Sequence, residues 1–272
     1  FNTNAELSTS QLQRRLTDYE DFSFIIRSFF DSSSDISRAD FRSLVYHWLL
    51  AHPEVKAVEW APLISHAQRE LWEQKLSSDI GIVSTIQEQG RGSEFSDAAE
   101  RLEYLPLDYI EPPAIHRAFF GVDIMTTPEQ QRVLQKVVES GHPTLIAQQR
   151  GTNSSPVIRL YTPIYKQAAI NQQTWSNLKG FIILAVDLQQ VVAYLSPHMT
   201  RSGQKLVLKE NAGTPLIYGQ LPDKHLVKIA TKVKVNYHNT LKNKQKTWQL
   251  EIWPTAEHLA DYESWLTWMV LL

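Results

Sequence analysis

The sequence predicts an α+β fold in which a long N-terminal helix precedes two groups of mostly antiparallel strands. Three observations support this prediction. Apolar residues recur at helical spacing from about residue 6 to residue 30, without Pro or Gly. Period-two stretches bounded by Pro, Gly and polar turns then alternate with shorter helical stretches. A linking helix at 188–195 separates the two groups of strands.

The first helix is predicted to be amphipathic. Its apolar positions are Leu7, Leu12, Leu16, Tyr19, Phe22, Ile25, Ile26 and Phe29. The polar run 31–35 ends it, because such side chains compete for backbone hydrogen bonds, and Ser37 is a good N-cap for a second helix over 38–51. The apolar surface of residues 7–29 exceeds what one small sheet can cover. We therefore expect part of this helix to mediate a parallel homodimer.

The first group of strands is interrupted by two further helices. The predicted strands cover 55–61, 82–88, 102–110, 144–149, 157–166 and 180–186. The predicted helices cover 66–76 and 128–140, the latter with Thr127 as its cap, Pro128 in its first turn and Gly141 after its end. A hairpin turn is expected at 153–156.

The second group of strands is smaller and leads to an apolar terminus. Strands are predicted at 205–209, 215–218, 232–237 and 247–253, with a hairpin loop at 211–214. The run Trp265–Leu272 is uncharged and contains two Trp residues. We expect it to be the first turns of a transmembrane helix, followed by about ten more apolar residues and then Lys or Arg. An amphipathic helix docked on the domain is the alternative.

Composition excludes several classes of function. A formal charge of −2 without a basic stripe disfavours nucleic acid as a partner. The chain has no Cys, and its nine His residues lack the spacing of metal ligands. With only ten Gly residues and no Gly-x-Ser-x-Gly motif, a glycine-rich cofactor cradle and a serine nucleophile are not expected. We therefore expect no cofactor, no metal and no catalytic residues.

A binding pocket is the remaining candidate site. In strand 157–166, Arg159, Tyr161, Pro163 and Tyr165 share one face, because side chains alternate along a strand. A fixed guanidinium beside a phenol suits a carboxylate or another planar anion. The alternative is an Arg on the solvent face of the sheet, with Tyr as its cross-strand neighbour.

A series of short motifs is spread over the first two thirds of the chain. In order they are Leu49-Leu50-Ala51-His52-Pro53, Val58-Glu59-Trp60-Ala61-Pro62, Arg69-Glu70, Tyr104-Leu105-Pro106, Gly121-Val122-Asp123, Ser140-Gly141-His142-Pro143 and Leu160-Tyr161-Thr162-Pro163-Ile164-Tyr165-Lys166. Taken together, they resemble the CHASE domain, the extracytoplasmic sensor module of receptor kinases and cyclic-di-nucleotide enzymes. The resemblance covers roughly residues 41–188.

The resemblance implies two PAS-like modules in tandem on a stalk helix. The expected units are a stalk helix (1–36), a membrane-distal module (37–187), a membrane-proximal module (188–255) and an exit helix (256–272). The expected ligand-binding residues are Trp60, Arg69, Tyr104, Pro106, Asp123, Arg159 and Tyr161. Plant members bind cytokinins through an acidic residue two positions before their Tyr-x-Pro motif. Leu102 occupies that position here, so cytokinin binding is not expected.

The implied function is signal reception at a membrane. We expect the periplasmic part of an inner-membrane receptor that binds a small planar or anionic ligand and is not itself an enzyme. Flanking transmembrane helices would carry the signal to a cytoplasmic histidine kinase, diguanylate cyclase or phosphodiesterase. Two alternatives remain: a periplasmic solute-binding module without signalling output, and a hydrolase that uses His142 or acidic residues.

Overall fold

A computed structural model describes residues 2–33, 35–90, 94–148, 157–166, 173–195, 204–210, 216–218, 231–236 and 247–254. The helices are α1 (Asn2–Ser32), α2 (Arg38–Ala51), α3 (Arg69–Ile80), α4 (Pro113–His116), α5 (Pro128–Ser140) and α6 (Leu188–Leu195). The strands are β1 (Val55–Pro62), β2 (Ile64–Ser65), β3 (Gln87–Gln89), β4 (Phe95–Asp97), β5 (Glu103–Tyr104), β6 (Tyr109–Glu111), β7 (Thr144–Gln148), β8 (Val157–Tyr165), β9 (Leu178–Asp187), β10 (Gln204–Glu210), β11 (Leu216–Tyr218), β12 (Thr231–Asn236) and β13 (Thr247–Pro254). The predicted mixture of a long N-terminal helix and antiparallel strands is confirmed.

Two separate sheets hold most of the strands. The larger has five strands in the order β6-β1-β9-β8-β7, and each neighbouring pair is antiparallel. β9 lies at its centre and is buried along nearly its whole length. Its sequence is a continuous apolar run because both of its faces are covered. The smaller sheet has four strands in the order β11-β10-β13-β12, also antiparallel.

One face of the larger sheet is covered by α1 and α2. The buried positions of α1 recur every three or four residues, as helical geometry requires. They are Leu12, Leu16, Tyr19, Phe22, Ile26 and Phe30. They pack with Phe41 and Val45 of α2 against the sheet. Further along its length, α1 also runs close to β12 of the smaller sheet.

The other face of the larger sheet is covered by α3, α5 and the connections around them. The predicted limits of α5 are confirmed. The Thr127 hydroxyl accepts a hydrogen bond from the amide of Gln130, and Pro128 lies in the first turn. Gly141 ends the helix with a φ of 67°, a left-handed conformation that favours Gly.

The prediction of one strand over 102–110 is wrong. Glu103 and Tyr104 pair with β2, whereas Tyr109 to Glu111 pair with β1 of the larger sheet. Between them lies Pro106, which has no amide hydrogen to extend a ladder. The chain therefore crosses between two sheets here.

The predicted strand 82–88 is also wrong over most of its length. Only β3 (Gln87–Gln89) forms, and before it the backbone of Ser84 binds Ser77 of α3 instead of a neighbouring strand. The Ser77 hydroxyl accepts from the Ser84 amide at 2.8 Å and contacts the Ser84 carbonyl oxygen at 3.1 Å. The predicted turn 153–156, loop 211–214 and exit helix 256–272 lie outside the described residues. Among the helices of the described part, none is long and apolar enough to cross a membrane.

Candidate ligand-binding site

A cavity of about 500 Å³ lies on the face of the larger sheet opposite α1. It is bounded by the sheet floor, the segment 119–127 and the first turns of α5. Its lining is mixed: apolar residues such as Leu107, Phe119, Val122, Ile124, Val133 and Ile146 alternate with polar ones. A cavity of this size that combines apolar surface with placed polar groups is typical of small-molecule sites.

Arg159 and Tyr161 form the polar part of the floor. Both belong to β8 and line the cavity, which confirms that they share a face of this strand. Arg159 does not lie on a solvent face, because its side chain is only 11% exposed. The solvent-face alternative for this residue is therefore wrong.

Glu59 of β1 is the partner of Arg159, a pairing that local sequence patterns do not reveal. Arg159 Nη1 lies 3.2 Å from Glu59 Oε2, and Glu59 is only 3% exposed. The Arg159 side chain reaches it across β9, where Ala185 lies opposite Arg159 and Ala57 lies opposite Ala185. These two small side chains leave room for the guanidinium to lie across the sheet.

The guanidinium of Arg159 is charged, but not all of its hydrogen-bond donors have a partner. Burial alone would lower its pKa, but the Glu59 carboxylate and a hydrogen bond to the Tyr161 hydroxyl raise the pKa above its ordinary value overall. Arg159 Nε is buried and has no hydrogen-bond partner. Glu59 Oε2 is also buried without a hydrogen bond, despite the ion pair. Unmatched buried groups of this kind cost folding free energy.

Asp123 lines the cavity but is saturated by the protein. Its Oδ1 accepts hydrogen bonds from the amides of Leu105 and Met125 at 3.0 and 2.9 Å. Its Oδ2 accepts from Arg101 at 2.9 Å. Burial raises the pKa of Asp123 above its ordinary value, although these three donors oppose the rise. Asp123 thus fixes the wall of the cavity in place.

The turn before Asp123 also needs a particular residue. Gly121 has a φ of 82°, and a Cβ atom there would lie 2.4 Å from the Thr85 carbonyl oxygen. Only Gly allows this close approach. The segment then bonds to β3, where the Asp123 amide donates to the Gln87 carbonyl oxygen at 2.7 Å. This explains the Gly121-Val122-Asp123 motif as a support of the cavity wall.

Four of the seven sequence-predicted site residues do not line the cavity. Trp60 faces the opposite side of the sheet, where its ring lies 4.5 Å from that of Phe30 in α1. Arg69 binds Glu73 at 2.8 Å and the Ala98 carbonyl oxygen at 3.0 Å. The Tyr104 hydroxyl, buried nearby, accepts from the Arg101 amide at 2.9 Å.

Pro106 is the fourth of these residues. It forms an isolated antiparallel bridge with Asp123. It therefore lies behind the cavity wall and outside its lining. Within the described residues, no three His, Cys, Asp or Glu side chains come together in a way that could hold a metal ion.

The family of the chain follows from its sequence. The family model described as CHASE domain matches residues 34–218, more than half of the chain. The chain belongs to the CHASE domain family. This confirms the resemblance found in the motifs, and it makes the chain an extracytoplasmic ligand-sensing domain of a signalling receptor. No curated protein matches this CHASE domain in sequence.

Solved structures of similar fold include sensory domains. An extracellular ligand binding receptor from Desulfohalobium retbaense is 9% identical with a TM-score of 0.50, over 91% of this chain and 39% of its own. The ligand binding domain of the Pseudomonas aeruginosa amino acid chemoreceptor PctC, in complex with GABA, is 10% identical with a TM-score of 0.48, over 91% and 95%. The sensory domain of the Campylobacter jejuni chemoreceptor Tlp3, with isoleucine bound, is 9% identical with a TM-score of 0.46, over 95% and 92%. At such identities the likeness concerns the fold alone.

Proposed function

We propose that this CHASE domain binds its ligand in the 500 Å³ cavity and signals through the elements that leave the larger sheet. The observation that carries the proposal is the guanidinium of Arg159, which lies beside Tyr161 in the floor of the cavity and is only 11% exposed. Arg159 and Tyr161 would contact the ligand directly. Asp123, Tyr104, Pro106 and Arg69 would hold the wall, and Trp60 would hold the sheet against α1.

The proposed route of the signal starts at β9. This strand pairs with β8, which supplies Arg159 and Tyr161 to the cavity floor, and α6 begins at the residue after it ends. A ligand that favours one arrangement of the floor would shift the balance between two positions of α6 and the smaller sheet. The proposal keeps a division into a stalk (1–36), a distal PAS-like module (37–187), a proximal PAS-like module (188–255) and an exit helix (256–272).

We further propose that the domain works as the periplasmic part of a homodimeric inner-membrane receptor. Leu7, Phe24 and Ile25 of α1 are 52%, 39% and 57% exposed, which leaves apolar surface for a second copy. Flanking membrane helices would connect the domain to a histidine kinase, diguanylate cyclase or phosphodiesterase in the cytoplasm. Light scattering over a concentration series of the domain tests the dimer.

Blocking the cavity tests where the ligand binds. A panel of amino acids, organic acids, amides and nucleobases is screened by the shift in melting temperature that each compound causes. Val133→Phe places a larger side chain on the cavity wall and should remove every shift seen with the wild type. Val83→Phe is the matched control, because Val83 is 94% exposed and does not line the cavity. Shifts that persist in Val133→Phe would locate the ligand elsewhere.

A further inference from the structure

The charges around the cavity floor decide which ligands it can accept, given that the cavity is the ligand site. Among the described lining residues, Arg159 is the single Lys or Arg. Its charge is already matched by Glu59, at 3.2 Å. The buried carboxylate in the wall, Asp123, is matched by Arg101 at 2.9 Å. Glu129, at the exposed start of α5, is the remaining charged lining residue.

A ligand in this cavity therefore meets no unbalanced positive charge. A carboxylate bound to Arg159 would be attracted by the guanidinium and repelled by Glu59 behind it. It would also lose its hydration, and a buried ion is stable only when interactions with its surroundings offset the free energy of desolvation. Since Glu59 removes most of the attraction to Arg159, that free energy is not offset. The expectation that Arg159 marks an anion site takes no account of this partner.

An uncharged acceptor avoids this difficulty. The guanidinium of Arg159 has five N–H groups. It forms a hydrogen bond with Tyr161 and an ion pair with Glu59, and its Nε is buried, so a ligand meets the part of Arg159 that lines the cavity. A carbonyl oxygen can accept from the guanidinium without bringing a second negative charge beside Glu59. The apolar residues of the wall suit the rest of a small ligand.

We propose that this site selects a small, uncharged ligand with a carbonyl-type acceptor, such as a carboxamide, and that Glu59 is the residue that excludes carboxylates. Glu59 acts through Arg159 and does not line the cavity. It is a positioning and selectivity residue rather than a direct contact. The proposal rests on the cavity being the ligand site and adds the chemical class of the ligand.

Matched pairs of amide and acid test the selectivity. Benzamide and benzoate, nicotinamide and nicotinate, and acetamide and acetate are titrated into the domain by ligand-observed NMR. The wild type should bind at least one amide, and each amide that binds should do so at least tenfold more tightly than its acid. Glu59→Gln frees the charge of Arg159 and should shift this ratio at least tenfold toward the acid. Glu139→Gln, which removes an exposed acid of α5 that does not line the cavity, should leave the ratio within threefold.

Two outcomes would overturn the proposal. One is a wild type that binds any of these acids more tightly than its amide, or binds none of the amides. The other is a folded Glu59→Gln variant with an unchanged ratio. If Glu59→Gln does not fold, Glu59→Asp shortens the side chain and draws the carboxylate away from Arg159; it should shift the ratio at least threefold toward the acid, and a folded Glu59→Asp variant with an unchanged ratio would overturn the proposal in the same way. If an acid binds more tightly than its amide and Val133→Phe abolishes that binding, the proposed selectivity is wrong but the cavity is still the ligand site.

Discussion

Two buried glutamates five residues apart, Glu54 and Glu59, lie on opposite faces of the larger sheet and have different surroundings. Glu54 is 2% exposed and Glu59 is 3% exposed, so both have lost their water. Glu54 accepts a hydrogen bond from the Tyr19 hydroxyl at 2.9 Å, and Arg15 lies 3.7 Å away. Glu59 has its ion pair with Arg159, and it is Arg159 that lines the cavity.

The difference shows that burial of a carboxylate does not by itself mark a ligand site. The pKa of Tyr19 is raised, first by burial and then by Glu54, so the phenol stays protonated and donates to Glu54. The backbone of Glu54 accepts from the Asp187 amide at the end of β9, and Arg15 lies 4.2 Å above the ring of Tyr194 in α6. Glu54 therefore closes a junction of α1, β9 and α6. Glu59 belongs to a pair whose other member, Arg159, lines the cavity.

Removing Arg159 should have the largest effect on stability. Arg159→Ala leaves Glu59 buried without a counter-charge, which costs about 3–5 kcal/mol of unfolding free energy. Urea unfolding followed by circular dichroism measures this loss. The double variant Glu59→Gln with Arg159→Ala, which has no buried charge at this point, should recover a large part of it. A single variant as stable as the wild type would show that water reaches Glu59.

The apolar face of α1 should respond nearly as strongly. Leu16→Ala deletes a side chain that is 2% exposed and should cost about 2–5 kcal/mol. Ile25→Ala, at a position that is 57% exposed, is the control and should stay within about 0.5 kcal/mol in the monomer. Equal losses in the two variants, measured at low protein concentration, would contradict the assignment of faces.

Tyr19→Phe examines the Glu54 side of the comparison alone. The change removes one hydroxyl and leaves the ring contacts, with Trp48 at 6.1 Å between centroids, in place. Glu54 then keeps only Arg15, so the expected loss is about 1–3 kcal/mol, as for an unmatched buried acceptor. Ligand binding in the cavity should be unchanged. A loss of ligand affinity without a loss of stability would link the two faces directly.

A third glutamate, Glu111, is expected to show the smallest loss of stability when its partner is removed. Glu111 of β6 is paired with Arg42 of α2 at 2.8 Å, but the Arg42 side chain is 56% exposed. Since water can replace an exposed partner, Arg42→Ala should cost less than about 1 kcal/mol. Comparing the melting curves of Arg42→Ala and Arg159→Ala tests this expectation. A cost as large as that of Arg159→Ala would show that solvent exposure of the partner is not the deciding variable.

Local patterns in the sequence were enough for the elements that begin, end and alternate in regular ways. The spacing of apolar residues predicted α1, the Thr127 and Gly141 signals fixed α5, and period-two alternation placed Arg159 and Tyr161 on one face. These features depend on neighbours along the chain. Arg159 and Tyr161, for example, would share a face in any sheet that contained this strand.

Features that depend on distant neighbours could not be predicted. Glu59 stands in the Val58-Glu59-Trp60 motif, but nothing nearby indicates that Arg159 lies two strands away across Ala185. The only available signal was that Ala57, Glu59 and Ala61 alternate with larger apolar residues. The predicted strand over 102–110 is interrupted at Pro106, because this residue has no amide hydrogen to continue the pairing.

The position of α1 has a consequence for receptor engineering. This helix covers one face of the larger sheet with buried residues such as Leu12 and Leu16, and it also runs close to β12 of the smaller sheet. A chimera that transplants only residues 37–187 into another receptor would have a foreign helix on that face. The graft should therefore include residues 2–32, or a replacement helix with the same apolar spacing. The choice of splice point, more than the choice of ligand pocket, would decide whether such a hybrid folds.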